Sequence, residues 1–446
     1  MNFAVLINLS FSFLFGLICP AHAGLEGESA FVLNTFGFLI WGALVMWMCA
    51  GFTMLESGCV RTKNASTICL KNIGLYSIAG LAYYIIGYNI MYVGVEPGGW
   101  FGSLALTYGP SDAERALVKG ASADVVAGSS YSSMSDWFFQ MVFVATAASI
   151  VSGTLAERIK LWPFFAFVLL LTAVIYPVVG SWAWGGGWLD NLGFIDFAGS
   201  TIVHSTGGWA ALSGAILVGA RRGRFRKEGT IKPMPPSNVP IVALGIFILW
   251  FGWFGFNGGS QLSLDSALDA VTISNIFANT NIAAAAGVVA ALCVSKPILG
   301  RMDIMAILNG AIAGLVSITA GPDFVDIQWS VLIGAVGGVI AVSGSKFIER
   351  LGIDDVVGAI PAHLFAGVWG TLAVCLTSGG QLWIQITGVL VIGIFVFSAS
   401  AALWLLLDRL AGLRISELAE DLGQDVVELG IEAYPEFVAI PENEEI

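Results

Sequence analysis

Long apolar runs separated by short polar stretches dominate the pattern of this chain. Each run has about 20 residues, the length with which an α-helix crosses a hydrocarbon core of about 30 Å. The runs are continuous and lack the alternation of apolar and polar residues typical of transmembrane barrel strands. The pattern therefore predicts an all-α integral membrane protein with eleven transmembrane helices. The predicted spans are Val32–Leu55, Leu70–Val93, Trp137–Ala156, Leu161–Trp184, Ser200–Ala220, Val239–Gly258, Ile273–Val294, Ile304–Gly321, Trp329–Ile348, Val356–Leu376 and Leu382–Leu407.

The two ends of the chain differ from this pattern. Residues 1–23 are apolar and end in Ala-His-Ala, as secretory signals with an Ala-x-Ala cleavage site do, so we predict cleavage. The leader has no Lys or Arg, and an uncleaved first span is the alternative. Residues 24–410 form the predicted membrane domain, with repeat halves at 30–220 and 238–378 and a final helix at 382–408. Residues 411–446 form an acidic tail.

The basic residues predict the orientation. All but Arg115 and Lys119 of the 19 Lys and Arg residues follow odd-numbered spans. Because Lys and Arg concentrate in cytoplasmic loops, the mature N-terminus is predicted outside and the C-terminus in the cytoplasm of a cell (inner) membrane protein.

Composition agrees with this class. Hydrophobic residues make up 57% of the chain and charged residues 11%, against about 25% charged residues in soluble domains. The net charge of −12 comes from the tail, because Ile415 to Ile446 contains many acids and no Lys or Arg. The six cysteines have no metal-ligand spacing, so small apolar packing is the favoured interpretation.

Two histidines stand out within the predicted spans. His204 lies in span five and His363 in span ten, whereas the third histidine, His22, lies in the leader. Each of the two has a glycine four residues later and a tryptophan near that glycine. Five spans separate them, and a repeat unit with an odd number of spans has its second copy inverted in the membrane. We therefore predict a 5+5 inverted repeat plus one extra C-terminal helix, with the site between the two halves.

The chemistry of such a pair favours a small neutral ligand. Two neutral imidazoles offer donors and acceptors to a small polar molecule, or a path for a proton, and suit a bare cation poorly. A haem or metal site is the weaker alternative, because no third ligand has metal spacing, and we expect no cofactor. Two buried histidines satisfied by the backbone would be the purely structural explanation.

Aromatic residues collect toward the predicted outer side. Phe143, Trp184 and the segment Trp253 to Ser260 could hold a cation against ring faces, although Trp and Tyr also form interfacial belts in membrane proteins. Asp196, eight residues before His204, is better explained as a helix N-cap than as a ligand. Glu56 and Glu157 lie beside Arg61 and Arg158, which predicts paired charge near the membrane surface.

Several segments resemble the ammonium transporters (Amt/MEP/Rh) over nearly the whole mature chain. The segments are Ala50-Gly-Phe-Thr-Met-Leu-Glu-Ser-Gly58, Ala156-Glu-Arg158, Trp184-Gly-Gly-Gly187, Asp196-Phe-Ala-Gly-Ser-Thr-Ile-Val-His204, Gly252-Trp-Phe-Gly-Phe-Asn257 and Ile353-Asp-Asp-Val-Val-Gly-Ala-Ile-Pro-Ala-His363. The resemblance implies an external recruitment site of Phe143, Trp184 and Ser260, with Asp196 as the acid near it. It also implies a phenyl gate of Phe143 and Phe256, and a pore lined by the twin histidines His204 and His363.

The resemblance further implies transport of ammonium, ammonia and methylammonium through a homotrimer in the lipid bilayer, with a PII-type signalling protein as a possible cytoplasmic partner. We expect neither enzymatic activity, since no nucleophile and base pair is visible, nor nucleic-acid binding. Gly358 and the tail step Glu428-Leu429-Gly430 depart from the family pattern, which leaves regulation by PII open. An ammonium sensor signalling through the cytoplasmic face is the alternative, and it would be supported by an output domain, which the sequence to Ile446 lacks.

Overall fold

A computed structural model describes residues 27–226, 228, 230–377 and 380–437, so the predicted leader lies outside the described residues. Within these ranges, nine helices are long and apolar enough to cross a membrane, and two shorter apolar helices occupy the positions of predicted spans eight and ten. The only β pairings in the described part are two isolated bridges. The all-helical membrane fold is confirmed, and the number of crossings remains a prediction.

The helices are longer than several predicted spans, because their ends continue into polar sequence. Their bounds are α1 Glu28–Cys59, α2 Thr62–Tyr92, α3 Ser133–Thr154, α4 Leu161–Trp182, α5 Ser200–Val218, α6 Val239–Gly259, α7 Ala267–Leu299, α8 Ile304–Ile318, α9 Ile327–Arg350, α10 Ile360–Leu376 and α11 Leu382–Ala411. Short helices lie between α2 and α3, between α4 and α5, and in the tail.

Glycines allow α7, α8 and α9 to pack backbone to backbone. A Cβ on Gly287 would collide with the carbonyl oxygen of Gly310, and one on Gly338 would collide with the carbonyl oxygen of Gly287. Small residues favour such contacts in membranes, where no hydrophobic drive brings helices together. Larger side chains at these positions would force the three helices apart.

Helices α5 and α10 lie side by side in opposite directions. The hydroxyl oxygens of Thr201, near the start of α5, and Thr371, near the end of α10, are 2.6 Å apart. At the other end, Arg221, just after α5, bonds Asp354, just before α10. This antiparallel arrangement is what an inverted relation between the two halves requires.

Both helices begin with a wide π-helical turn that contains the histidine. The turns are Ser200–Ser205 in α5 and Ile360–Phe365 in α10. Gly358 and Pro361 both fall inside predicted span ten, Val356–Leu376, where each would be expected to interrupt a helix. Gly358 precedes the helix, and Pro361 lies in its first turn, where its missing N–H leaves no bond unmade.

A network of buried charges joins the loops after α1, α3 and α5. Arg221 bonds Glu157 at 2.9 Å and Asp354 at 2.8 Å, and Arg61 also bonds Glu157. Arg158 is buried and donates only to backbone carbonyls, including that of Asp354 at 2.6 Å. The expected pairing is therefore present for Glu157, whereas Glu56 is buried beside Lys71 instead, with 3.9 Å between Oε2 and Nζ.

The tail docks onto the same face. Asp425 accepts hydrogen bonds from the backbone N–H groups of Ser66 and Thr67 at the start of α2, at 2.9 and 2.7 Å. Gln424 donates to the carbonyl of Ile159 at 2.8 Å, and Arg222 pairs with Asp421. The acidic tail is thus held by basic loops and by the backbone N–H groups near the start of α2, as the helix dipole favours.

Candidate functional site

The two histidines meet inside the molecule. The Nδ1 atoms of His204 and His363 are 3.3 Å apart, and their rings are nearly parallel, with centroids 5.3 Å apart. His204 is fully buried, and its Nε2 has no hydrogen-bond partner among the described residues. One Nδ1 must donate and the other accept, because neutral imidazole carries a single N–H. Buried polar atoms are normally bonded, so the free Nε2 is open to a bound molecule.

Aromatic rings continue the row on both sides of the pair. Phe143 and Phe256 stack with centroids 4.0 Å apart, and the His204 ring lies 5.2 Å from the Phe256 ring. On the other side, the Phe52 ring is 6.3 Å from His363. The rings of Phe143 and Phe256 are both buried. The result is a buried row of rings in which the two phenylalanines lie closer together than the histidines do.

The predicted recruitment residues surround one end of this row. The Trp184 ring meets the Phe143 ring edge-on at 6.0 Å, and both Trp184 and Ser260 are partly exposed. Ser260 directly follows α6, one turn after Phe256, and donates its hydroxyl to the Phe256 carbonyl at 2.9 Å. The Ser260 oxygen keeps lone pairs that can accept from an N–H donor.

Asp196 lies behind the recruitment residues and caps α5. Its carboxylate accepts from the backbone N–H groups of Ser200, Thr201 and Ile202 at 2.7–2.9 Å, although the N-cap position itself is occupied by Gly199. The Trp184 indole donates to the Asp196 carbonyl at 2.9 Å and is thereby oriented. Burial raises the pKa of Asp196 to about 6, although the backbone amides oppose this effect.

Asp355 is the counterpart that the sequence argument missed. It lies eight residues before His363, as Asp196 lies before His204, and accepts from the backbone N–H groups of Gly358 and Ile360 at 3.1 and 2.7 Å. A glycine with positive φ follows each acid by three residues, Gly199 at 101° and Gly358 at 77°. The repeated acid, glycine and histidine spacing was visible in the sequence and could have identified Asp355.

Trp253 is a second residue whose place was not foreseen. Its ring lies 4.9 Å from the His204 ring, and its indole donates to Thr319 at 2.9 Å. The sequence had placed it only within the outer aromatic segment. For the described residues, no group of three or more His, Cys, Asp or Glu side chains could hold a metal ion.

The comparisons with known proteins agree on one family. A sequence model of the Ammonium Transporter Family matches residues 36–434. Ammonium transporter Amt2 of Archaeoglobus fulgidus is 39% identical over 433 residues, which cover 90% of this chain and 88% of that protein. A solved structure named Sensor Amt Protein matches with a TM-score of 0.80 at 36% identity, covering 89% of this chain and 98% of the other. The crystal structure of Candida albicans Mep2 matches with a TM-score of 0.76 at 26% identity, covering 92% of each chain.

Proposed function

Because the chain belongs to the ammonium transporter family, we propose that it recruits ammonium outside, removes its proton and conducts ammonia past His204 and His363. The family relationship supports ammonium transport by a membrane protein and points to transport rather than catalysis. The residue roles are our proposal, and the unbroken row of rings from Phe143 to His363 is the observation that supports them.

Recruitment uses the charge of ammonium. Trp184 and Phe143 offer ring surfaces to a cation, and such contacts contribute about 0.5–2 kcal/mol, with the larger values at desolvated sites. Ser260 accepts a hydrogen bond from an N–H group, which potassium lacks. Asp196 acts indirectly, because its backbone carbonyl orients the Trp184 indole while its carboxylate is occupied by α5.

The stacked phenylalanines separate the outer site, which binds charged ammonium, from the inner path, which carries neutral ammonia. Passing the buried rings of Phe143 and Phe256 removes water from the ion, and burial can lower the pKa of an amine by about 3–5. Ammonium therefore gives up its proton to water on the outer side of these rings and passes them as ammonia. Potassium has no proton to lose, meets the whole desolvation cost and is excluded.

The imidazole pair then carries ammonia. Ammonia can donate an N–H to a bare ring nitrogen and accept from a ring N–H, so the pair replaces hydration without any charge. His204 Nε2 has no protein partner within the described chain and is available for this contact.

His204→Ala tests this function. Wild-type protein in proteoliposomes should take up methylammonium and exclude potassium. The variant should lose selective uptake or admit potassium, because one of the two neutral imidazoles that offer hydrogen bonds to ammonia is missing. Elution volume and thermal stability establish that the variant is folded. Unchanged methylammonium uptake together with unchanged potassium exclusion would contradict the proposal.

A sensor role is the second candidate, favoured by the likeness to the structure named Sensor Amt Protein. In this chain, the docked tail links Asp425 to the start of α2 and Asp421 to Arg222, so a change in the pore could reach the cytoplasmic surface. Membrane current and uptake in proteoliposomes separate the two roles. Ammonium binding without uptake or current would favour the sensor.

The orientation and assembly complete the proposal. The tail docks on the loops that carry most basic residues, and the positive-inside rule supports a cytoplasmic position for both. We further propose a cleaved leader, a homotrimer in the inner membrane and a role in nitrogen uptake, with a PII-type protein as a partner at the docked tail. N-terminal sequencing and native mass spectrometry of the purified protein test the leader and the trimer.

A further inference from the structure

A small cavity lies next to His363, on the side away from His204 and toward the face where the tail docks. We call it the exit pocket; its lining includes Phe52, Glu56, Ser149, Asn309, Val357 and His363. It leaves about 10 Å³ for the centre of a water-sized molecule, which is about what one such molecule needs. Ammonia has this size. The exit pocket therefore has room for one molecule in line with the imidazole pair.

Glu56 is the charged residue in this lining, and only one of its oxygens is bonded. Oε2 accepts from Ser152 Oγ at 2.6 Å and Asn72 Nδ2 at 3.2 Å, with Lys71 Nζ 3.9 Å away. Oε1 is buried and has no hydrogen-bond partner among the described residues. Glu56 lines the pocket, whereas Ser152, Asn72 and Lys71, which hold Oε2, do not, so Oε1 is the carboxylate oxygen that remains available to a molecule in the pocket.

The other polar side chains of the lining are already committed. Asn309 donates its amide to the carbonyl of Val357 at 2.8 Å, and Ser149 donates its hydroxyl to the carbonyl of Ala145 at 3.0 Å. Lys71 donates to the carbonyl of Ser152 at 2.8 Å, which holds the ammonium group beside Oε2. A buried carboxylate oxygen without a donor is rare and points to a bound donor molecule. The polar chemistry of the pocket is thus concentrated at Glu56 Oε1 and His363.

We propose that Glu56 is a proton-exchanging residue at an inner binding site, where ammonia that has passed His363 becomes ammonium again. This inference rests on the proposed function. In the step, the O–H bond of the Glu56 carboxylic acid breaks and a new N–H bond forms on ammonia. Ammonium leaves toward the docked-tail face, and the carboxylate remains beside Lys71.

The proton balance closes within one transport cycle. Ammonium releases a proton at the outer site, the imidazole pair passes that proton inward, and the Glu56 carboxylate accepts it before the next ammonia arrives. Each cycle then moves one nitrogen and one proton, so transport carries charge. The 3.3 Å contact between the two Nδ1 atoms joins the imidazoles, and His363 shares the wall of the exit pocket with Glu56.

Glu56→Gln tests the inference, because glutamine keeps the shape of the side chain but does not exchange a proton. Purified wild-type and variant proteins are placed in proteoliposomes, and two signals are recorded. The current evoked by ammonium chloride should fall by about a hundredfold, the usual contribution of a positioned acid–base group. Ammonia that crosses the variant arrives without a proton, so ammonium chloride should make the lumen alkaline, whereas the wild type, which delivers one proton with each nitrogen, should not. Retained permeation also shows that the variant is folded.

Two further variants sharpen the result. Asp303→Asn makes the same carboxylate-to-amide change at the start of α8, outside the exit pocket, and should keep the wild-type current. Glu56→Asp keeps an acid one methylene further back and should retain more current than Glu56→Gln.

The outcomes separate this inference from the proposed function. A wild-type current in Glu56→Gln would overturn the role of Glu56 and leave transport standing. Loss of ammonia permeation together with the current would also overturn it, because the substitution would then have closed the pathway. A wild-type protein that gives neither current nor permeation above empty liposomes would instead refute the proposed function.

Discussion

The start of α5 and the start of α10 share one local design and differ in what surrounds them. In each, an acid binds backbone N–H groups, a glycine with positive φ follows, and a histidine lies eight residues after the acid. Asp196 lies next to the partly exposed ring of Trp184, whereas Asp355 lies next to the buried pair of Asp354 and Arg221. The repeated spacing thus fixes the position of each histidine, while the residues around each helix start determine what can bind there.

The charge network around the start of α10, which we call the inner start, should give the largest effect on stability. Arg221→Ala leaves Glu157 and Asp354 buried without their shared partner, and breaking a buried pair costs about 3–5 kcal/mol. We expect the free energy of unfolding in mixed micelles, measured by detergent denaturation, to fall by that amount.

Arg222→Ala is the matched control. Arg222 pairs with Asp421 at the surface, where such a pair contributes about 0.2–1 kcal/mol. Equal losses for the two variants would show that the inner start is not held by its buried charges.

The two caps can be compared directly through Asp196→Ala and Asp355→Ala. Each variant leaves buried backbone N–H groups without an acceptor, so each should lose about 2–3 kcal/mol of unfolding free energy. Only Asp196→Ala should also raise the KM for methylammonium, because without the carboxylate bonds to α5 the Asp196 backbone carbonyl no longer holds the Trp184 indole in place. The same rise in KM in Asp355→Ala would contradict the functional difference proposed between the starts of α5 and α10.

The glycine of the inner start should give a smaller loss. Alanine at Gly358 must adopt a φ of 77°, and its Cβ would press on the Asn309 amide, so we expect a cost of about 2 kcal/mol. Gly352→Ala is the control, with a φ of 71° and nothing within 4 Å of the added Cβ, and should cost about 1 kcal/mol. Thermal unfolding of both variants measures the difference, and a Gly358→Ala protein as stable as Gly352→Ala would remove the contact with Asn309 from the explanation.

Acid should weaken the inner start. Burial acts to raise the pKa of Asp354, but the hydrogen bonds and charge of Arg221 prevail and hold this pKa well below its ordinary value. A lowered folded-state pKa contributes stability above the unfolded pKa of about 3.9, and that contribution is lost as the pH falls below it. The free energy of unfolding, measured at decreasing pH from pH 6, should fall less in Asp354→Asn than in wild type.

Much of this arrangement could be predicted from particular residues. The pairing of His204 and His363 was predicted from their isolation in apolar runs and their similar surroundings. In the structure their Nδ1 atoms lie 3.3 Å apart, and their role in a pore stays a proposal. The roles of Phe143, Trp184, Ser260 and Phe256 came from the resemblance alone, because rings in an interfacial belt and rings in a binding site have the same composition.

Other features depend on helix rotation, which the sequence does not specify. Glu56 was expected to pair near the surface, yet it points to Lys71 and the exit pocket, because that depends on how α1, α2 and α3 are turned against one another. The wide turns at the histidines were not predicted either, since a π-helical turn has no reliable residue signature. Asp355 could have been found, because its distance to His363 repeats that of Asp196 to His204.

The contact between the two imidazoles through like atoms has one last consequence. A single hydrogen lies between the two Nδ1 atoms, so one ring carries its hydrogen on Nδ1 while the other carries it on Nε2, and the two rings are opposite tautomers. A pair built from two equivalent halves therefore has a polarity, with a lone pair at one end and an N–H at the other. A proton handed along the pair reverses that polarity, and both rings must exchange tautomers before the next proton can travel the same way.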